Sequence, residues 1–153
     1  MLTTCCTASP RSRSSRRRWR KYAGASTTWA RGLPWLAADF GGSLAGYGYC
    51  APYRARSAYR YALEDSIYVR AGSEGRGVGS ALLAALIRES EGLGYRQMVA
   101  VIGDSGNSAS IRLHESLGFQ RAALLRSVGF KLGRWVDSVI MQRPLGPGDG
   151  TRP

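Results

Sequence analysis

The segment richest in chemistry runs from Ile67-Tyr68-Val69 into Glu74-Gly75-Arg76-Gly77-Val78-Gly79-Ser80. An apolar run feeds a glycine cluster, and the cluster opens onto a helical pattern. Glycine permits a tight turn and close backbone approach, and the first N–H groups of a helix have no partner within it. Together they make a site for an anion, here a phosphate or pyrophosphate. A Walker loop is excluded, because no lysine stands among the glycines. A dinucleotide-binding fingerprint fits poorly: Ser80 occupies the place of the third glycine, and no strand ending in an acid follows at the required distance. An ordinary glycine-rich turn is the plain alternative.

Three other groups of residues carry chemistry. His114 is the only histidine in the chain, and its ordinary pKa suits a general acid; a structural histidine on a helix is the alternative. Glu64 stands near a strand end, where partial burial raises a carboxylate's pKa and makes it a base near neutrality; the alternative is a surface glutamate paired with Arg60 or Arg70. Arg54 and Arg56 carry guanidinium groups that suit a carboxylate or a phosphinate, or else they are solvated surface charge. Cys5, Cys6 and Cys50 have no metal-ligand spacing, and one histidine cannot complete a zinc site, so they read as free thiols with no metal.

The elements that would hold these residues are legible in the pattern. Leu33 to Phe40 and Ser43 to Tyr53 read as a hairpin around Gly41-Gly42. Tyr61 to Val69 reads as a strand. Ser80 to Glu91 reads as a helix with Leu82, Leu83, Leu86 and Ile87 on one face, stopped by Gly92 and Gly94. Gln97 to Ile102 is a short strand. Asn107 caps a helix over Ser108 to Leu117, which Gly118 ends. Phe119 to Arg126 and Trp135 to Gln142 read as a closing hairpin. Strand and helix alternate in the middle with a hairpin at each end, so the class is α/β, a mixed sheet with packed helices.

The chain has 153 residues and a net charge of +12, one domain by size. The charge is unevenly spread. Arg11, Arg13, Arg16, Arg17, Arg18, Arg20, Lys21 and Arg31 fall in residues 1–31, which contain no acid. That segment shows no helical or alternating pattern and reads as an atypical basic, disordered stretch. The rest is only mildly basic, which argues against a nucleic-acid partner. No run approaches the roughly 18 apolar residues of a membrane span, and no leader peptide is legible. The expected location is the cytoplasm. Residues 146–153 read as a flexible polar tail.

Two separated motifs resemble the GNAT superfamily of N-acetyltransferases. Glu74-x-x-Gly77-x-Gly79 resembles the family's coenzyme A loop, with glutamate in place of the usual Gln or Arg. Asn107-Ser108-Ala109-Ser110-Ile111-Arg112-Leu113-His114-Glu115-Ser116-Leu117-Gly118-Phe119 resembles its second signature, with Ser110 for alanine and His114 for tyrosine. Tyr53 to Arg60, Glu64 to Val69 and Gly129 to Asp137 look like the phosphinothricin and methionine sulfoximine acetyltransferases. The resemblance runs from about Gly32 to Pro144 and assigns 32–145 to the acetyltransferase domain.

It implies a GNAT-like, mostly antiparallel sheet, with the family's N-terminal strand and helices missing or replaced by a segment foreign to the fold, from a frame error or a misassigned start. It implies acetyl-CoA as co-substrate, held by Ile67, Tyr68, Val69, Gly75, Arg76, Gly77, Val78, Gly79, Ser80 and Asn107. It implies Glu64 as base and His114 as acid. Arg54, Arg56, Glu64, Asp65 and Ser66 would meet a small amino-acid-like substrate, with Trp35, Tyr59 and Trp135 as candidate apolar lining or core. A homodimer is implied as well. The alternatives are a coenzyme A binder with impaired or no activity, and an acetyltransferase of protein N-termini.

Overall fold

The computed structural model describes residues 18–21, 32–40 and 43–153. Seven strands lie in one sheet: β1 Arg18–Lys21, β2 Trp35–Phe40, β3 Ser43–Pro52, β4 Ala62–Val69, β5 Gln97–Gly103, β6 Gln120–Lys131 and β7 Arg134–Pro144. Their order across the sheet is β1-β2-β3-β4-β5-β7-β6. Two helices, α1 Val78–Gly92 and α2 Ser108–Ser116, connect β4 to β5 and β5 to β6. Every neighbouring pair is antiparallel except β4–β5. The mixed, mostly antiparallel sheet is the one expected.

The core forms where α1 lies on one face of the sheet. Leu82, Leu83, Leu86 and Ile87 are buried against Leu36, Leu63, Met98 and Met141. Alternation along β4 puts Leu63 and Asp65 on this helix-covered side and leaves Glu64 and Ser66 on the other. Helix α1 begins two residues earlier than its apolar pattern, at Val78. Its N-cap Gly77 has φ 75°, ψ 12°, a left-handed conformation that favours glycine. Helix α2 begins where expected, because Asn107 Oδ1 accepts from Ser110 N at 3.2 Å. The closing hairpin runs longer than the sequence pattern, and its register shifts between Leu125 and Gly129. Asp137 holds that irregularity: it accepts from Ser127 N at 3.0 Å and Ser105 Oγ at 2.8 Å.

Two expectations need correction. Residues 1–31 read as containing no element, yet β1 pairs with β2 from Arg18↔Asp39 to Lys21↔Leu36. The edge of β2 is therefore paired along these residues. An edge strand is held by main-chain bonds, so four residues of basic sequence can form one without apolar alternation. Residues 1–17 and 22–31, and with them the expected disorder, lie outside the described residues. Residues 146–153 read as a flexible tail. Arg96 donates to Thr151 Oγ1 and to the carbonyl of Arg152, both at 3.1 Å. One guanidinium on β5's leading end ties down several C-terminal residues.

Gly46 sets how closely β3 can approach β4. A Cβ there would lie 2.6 Å from the Tyr68 carbonyl oxygen and 3.1 Å from Val78 Cγ1. Backbone cannot yield as a side chain can. Gly46→Ala is expected to cost about 1–3 kcal/mol, the usual range for overpacking, measured by urea denaturation. An unchanged midpoint would mean that β3 and β4 have slack here.

Candidate active site

The parallel ladder between β4 and β5 is short. It runs from Ala62↔Gln97 through Leu63↔Met98 and Glu64↔Val99 to Asp65↔Ala100, and there it stops. Strand β4 continues to Val69, still paired with β3 from Ser66↔Tyr49 to Val69↔Gly46. Strand β5 continues to Gly103, paired with β7. Between the parted strands lies an open cleft of about 180 Å³, lined by Asp65 to Tyr68, Ala100 to Gly103, Asn107, Ser110 and His114. Over Ser66 to Val69 the backbone of β4 has no ladder partner on the β5 side among the described residues. A strand edge of this kind accepts an extended, amide-bearing ligand.

The glycine loop follows directly from Val69. Gly75 and Gly77 both have positive φ, and no acid stands in the first turn of α1, so the positive end of that helix is not neutralised there. Glu74, the departure from the family's loop pattern, has a local function: its Oε2 accepts from Gly72 N at 2.6 Å, closing the turn. Gly79 also has a packing role. A Cβ built on it would meet Leu113 Cδ2 at 3.1 Å and Val69 Cγ2 at 3.5 Å. Its missing side chain makes room for those of Leu113 on α2 and Val69 on β4.

His114 and Asp65 form a buried pair at the cleft wall. His114 is 3% exposed and Asp65 6%. His114 Nε2 lies 3.1 Å from Asp65 Oδ2, and Nδ1 lies 2.7 Å from the Ser110 carbonyl. Phe119 stands perpendicular to the imidazole at 5.0 Å between ring centres. Burial works against the charged imidazolium, but Asp65 and the Ser110 carbonyl together outweigh it and raise the His114 pKa above its ordinary value. Asp65 Oδ1 is buried with no hydrogen-bond partner among the described residues.

Glu64 is half-buried on the opposite face of β4. Burial raises its pKa, Arg54 opposes the rise, and Asp65 adds to it. Arg54 also lies over the Tyr53 ring at 4.5 Å. Arg56 is exposed, just ahead of the 3₁₀ turn Ser57–Tyr59. Of the candidate substrate residues, Arg54 is brought to Glu64, Ser66 lies on the same face of β4 as Glu64, and Asp65 faces the helices.

The candidate aromatic residues do not converge. Trp35 stacks on Tyr47 at 5.8 Å, Tyr59 meets Tyr53 edge-on at 6.0 Å, and Trp135 meets Phe130 on the distant hairpin at 5.3 Å. What the sequence reading missed is the shelf beside Glu64. Tyr47 stacks on Tyr68 at 4.8 Å, with Tyr49 at 6.3 Å from Tyr68, and the hydrogen bond to Tyr49 pushes the Tyr68 phenol up. Its signal was the alternation Tyr47-x-Tyr49, which in register faces Tyr68 and Ser66.

The fold and this cleft are those of the GNAT class. Residues 2–119 match the Acetyltransferase (GNAT) family, and the chain belongs to it. The match extends upstream of Gly32, where the motif resemblance begins. The chain is 55% identical over 122 residues to a phosphinothricin N-acetyltransferase of Alcaligenes faecalis, covering 80% of this chain and 62% of that protein. It is 43% identical over 114 residues to an L-methionine sulfoximine/L-methionine sulfone acetyltransferase of Salmonella typhimurium, covering 74% of this chain and 66% of that one. This chain thus spans three fifths to two thirds of the length of these relatives. A crystal structure of a phosphinothricin acetyltransferase from Sinorhizobium meliloti in complex with AcCoA superposes with TM-score 0.79 at 45% identity, covering 83% of this chain and 69% of that one.

Cys50 is the one cysteine among the described residues, and it is buried. Burial pushes the Cys50 thiol up to about 12, a rise that its contact with Ser90 only partly offsets. Iodoacetamide at pH 8 is expected to leave Cys50 unmodified in the folded protein and to label it after denaturation, read by peptide mapping. Rapid labelling of Cys50 in the folded state would contradict its burial.

Proposed function

We propose that this chain is an acetyl-CoA-dependent N-acetyltransferase acting in the cytoplasm on the α-amine of a small amino-acid analogue of the phosphinothricin or methionine sulfoximine type. The observation that carries this reading is the parting of β4 from β5 beside the glycine loop, with a base-like and an acid-like group on the two faces of β4. The residues fit coenzyme A. The free edge of Ser66 to Val69 suits the amide-bearing arm, and the first turn of α1 with Arg76 and Ser80 suits a pyrophosphate. The co-substrate supplies an activated acetyl thioester, and the chain does the rest.

Glu64 accepts the proton of the substrate ammonium, directly or through a water, because burial has moved its pKa toward neutrality. The β4 edge orients the thioester and polarises its carbonyl through a backbone N–H. His114, held in its charged form, is the proton source for the departing sulfur. Arg54, beside Glu64, recognises the substrate's acidic end, with Arg56 as an outer contact. The chemistry needs no metal, and no cluster of three metal-ligating side chains occurs among the described residues. No helix among the described residues is long and apolar enough to cross a membrane. The reading extends to a homodimer, for which the exposed Phe130, Leu132 and Trp135 at the end of the closing hairpin supply apolar surface.

The pH dependence has a definite sign. Glu64 must be unprotonated, so turnover rises with pH through its raised pKa. His114 must be protonated, so turnover falls above its own raised pKa. Glu64→Gln and His114→Phe are each expected to lower kcat by about 100-fold or more, with acetyl-CoA affinity by calorimetry nearly unchanged. Thiol release over phosphinothricin, methionine sulfoximine and short peptides identifies the acceptor. Full turnover in both variants, or a preference for peptides, would overturn the reading.

Arg54→Ala is expected to raise KM for the amine more than it lowers kcat, because it removes binding common to ground and transition states. An unchanged KM would remove Arg54 from the substrate site.

A further inference from the structure

Asp65 is the one charged side chain on the helix-covered side of β4. It stands at the last rung of the β4–β5 ladder, Asp65↔Ala100, where the cleft begins. Burying a carboxylate is costly unless its partners compensate. Its partner is His114, and the geometry between them fixes a protonation state. A neutral imidazole has one N–H and one lone pair. Here both ring nitrogens face acceptors, the Ser110 carbonyl at 2.7 Å and Asp65 Oδ2 at 3.1 Å. A carbonyl can only accept, so a neutral ring would set a lone pair against an acceptor at one of these contacts. Facing a carboxylate at Nε2 and a carbonyl at Nδ1, the ring satisfies both as the imidazolium, with two N–H groups.

The surroundings supply no competing charge. Ser110 and Phe119 approach His114 from its own helix and from the segment just beyond it. Asp65 is the one charged group among the described residues that acts on His114. Two further titratable groups act on Asp65: Cys50 from β3, with its thiol pushed up to about 12, and Glu64 from the other face of the same strand.

We infer that Asp65 is a positioning residue that keeps His114 doubly protonated, with its ring fixed at the cleft wall. This rests on the reading of His114 as proton donor. Without Asp65, burial acts on His114 unopposed by a carboxylate and the proton leaves near or below neutrality. The acid would then be empty at the pH where Glu64 works as a base. Oδ1 is buried without a hydrogen-bond partner among the described residues.

The chain's single histidine makes the test direct. The Cε1–H resonance of His114 is followed by NMR against pH in the full chain and in Asp65→Asn. The expected midpoint lies above the ordinary histidine value of about 6.5 in the parent and below it in the variant. In Asp65→Asn the basic limb of the kcat profile should move to lower pH with the midpoint, at nearly constant KM for acetyl-CoA. A parent midpoint at or below the ordinary value overturns the inference without any variant, as does an equal midpoint in both proteins. If the midpoint falls and the basic limb stays, Asp65 controls His114 as inferred, and the assignment of His114 as proton donor fails instead.

Thermal stability gives an independent readout. A histidine whose folded pKa is raised stabilises the fold fully below its unfolded pKa, and that contribution fades as pH climbs through the folded value. The gap in Tm between the parent and Asp65→Asn should therefore be widest near pH 6 and narrow toward pH 9. A gap that is constant across this range contradicts a protonated His114.

Discussion

Past Asp65, strand β4 keeps a hydrogen-bonded neighbour on one side only. Backbone N–H and C=O groups in a protein interior are almost always paired, so a central strand left half-paired for four residues is a constraint that the surrounding structure must maintain. Here β5 stays paired with β7 as far as Gly103↔Ser138, and α2 follows from Ser108. The other side of β4 is held by β3, and Gly46 lets that contact close without a side chain in the way. The cleft, the glycine loop that follows Val69 and the placement of His114 all descend from this one divergence.

The alternation of side chains along β4 divides the chemistry. Odd positions 63, 65 and 67 face the helices, where Asp65 meets His114 in a buried pair. Even positions 64, 66 and 68 face away, where Glu64 lies near Arg54 and beside the Tyr47–Tyr68 stack. The strand itself therefore separates a group poised to take a proton from one poised to hold a proton. Their environments push both pKa values upward for different reasons. Burial does it for Glu64, and for His114 an acidic partner overcomes burial.

The extent of each element was legible because its signals were local. Leucines at helical spacing, Asn107 as a cap and Gly94 as a stop each act within a turn of the chain, and the observed helices fall within two residues of those read from the pattern. The glycine loop and the segment around His114 were legible as motifs because each is one contiguous run of the chain. What was not legible depends on pairing across the sheet. The short β1 strand contributes backbone bonds that leave no apolar alternation. The docking of residues 146–153 depends on Arg96, about fifty residues earlier in the chain. The partnership of Asp65 with His114 joins residues 49 positions apart, and neither residue type signals the other. The packing of Gly79 against Leu113 was not legible for the same reason, since Leu113 comes from a later helix.

The central claim is that the half-paired stretch of β4 and the first turn of α1 together receive acetyl-CoA. Amide hydrogen exchange of the whole chain, with and without saturating acetyl-CoA, tests it most directly. The account predicts slowed exchange at Ser66 to Val69 and at Gly77 to Ala81, with the closing hairpin of β6 and β7 unchanged. Protection confined to other segments, or none at these residues despite binding seen by calorimetry, would contradict it.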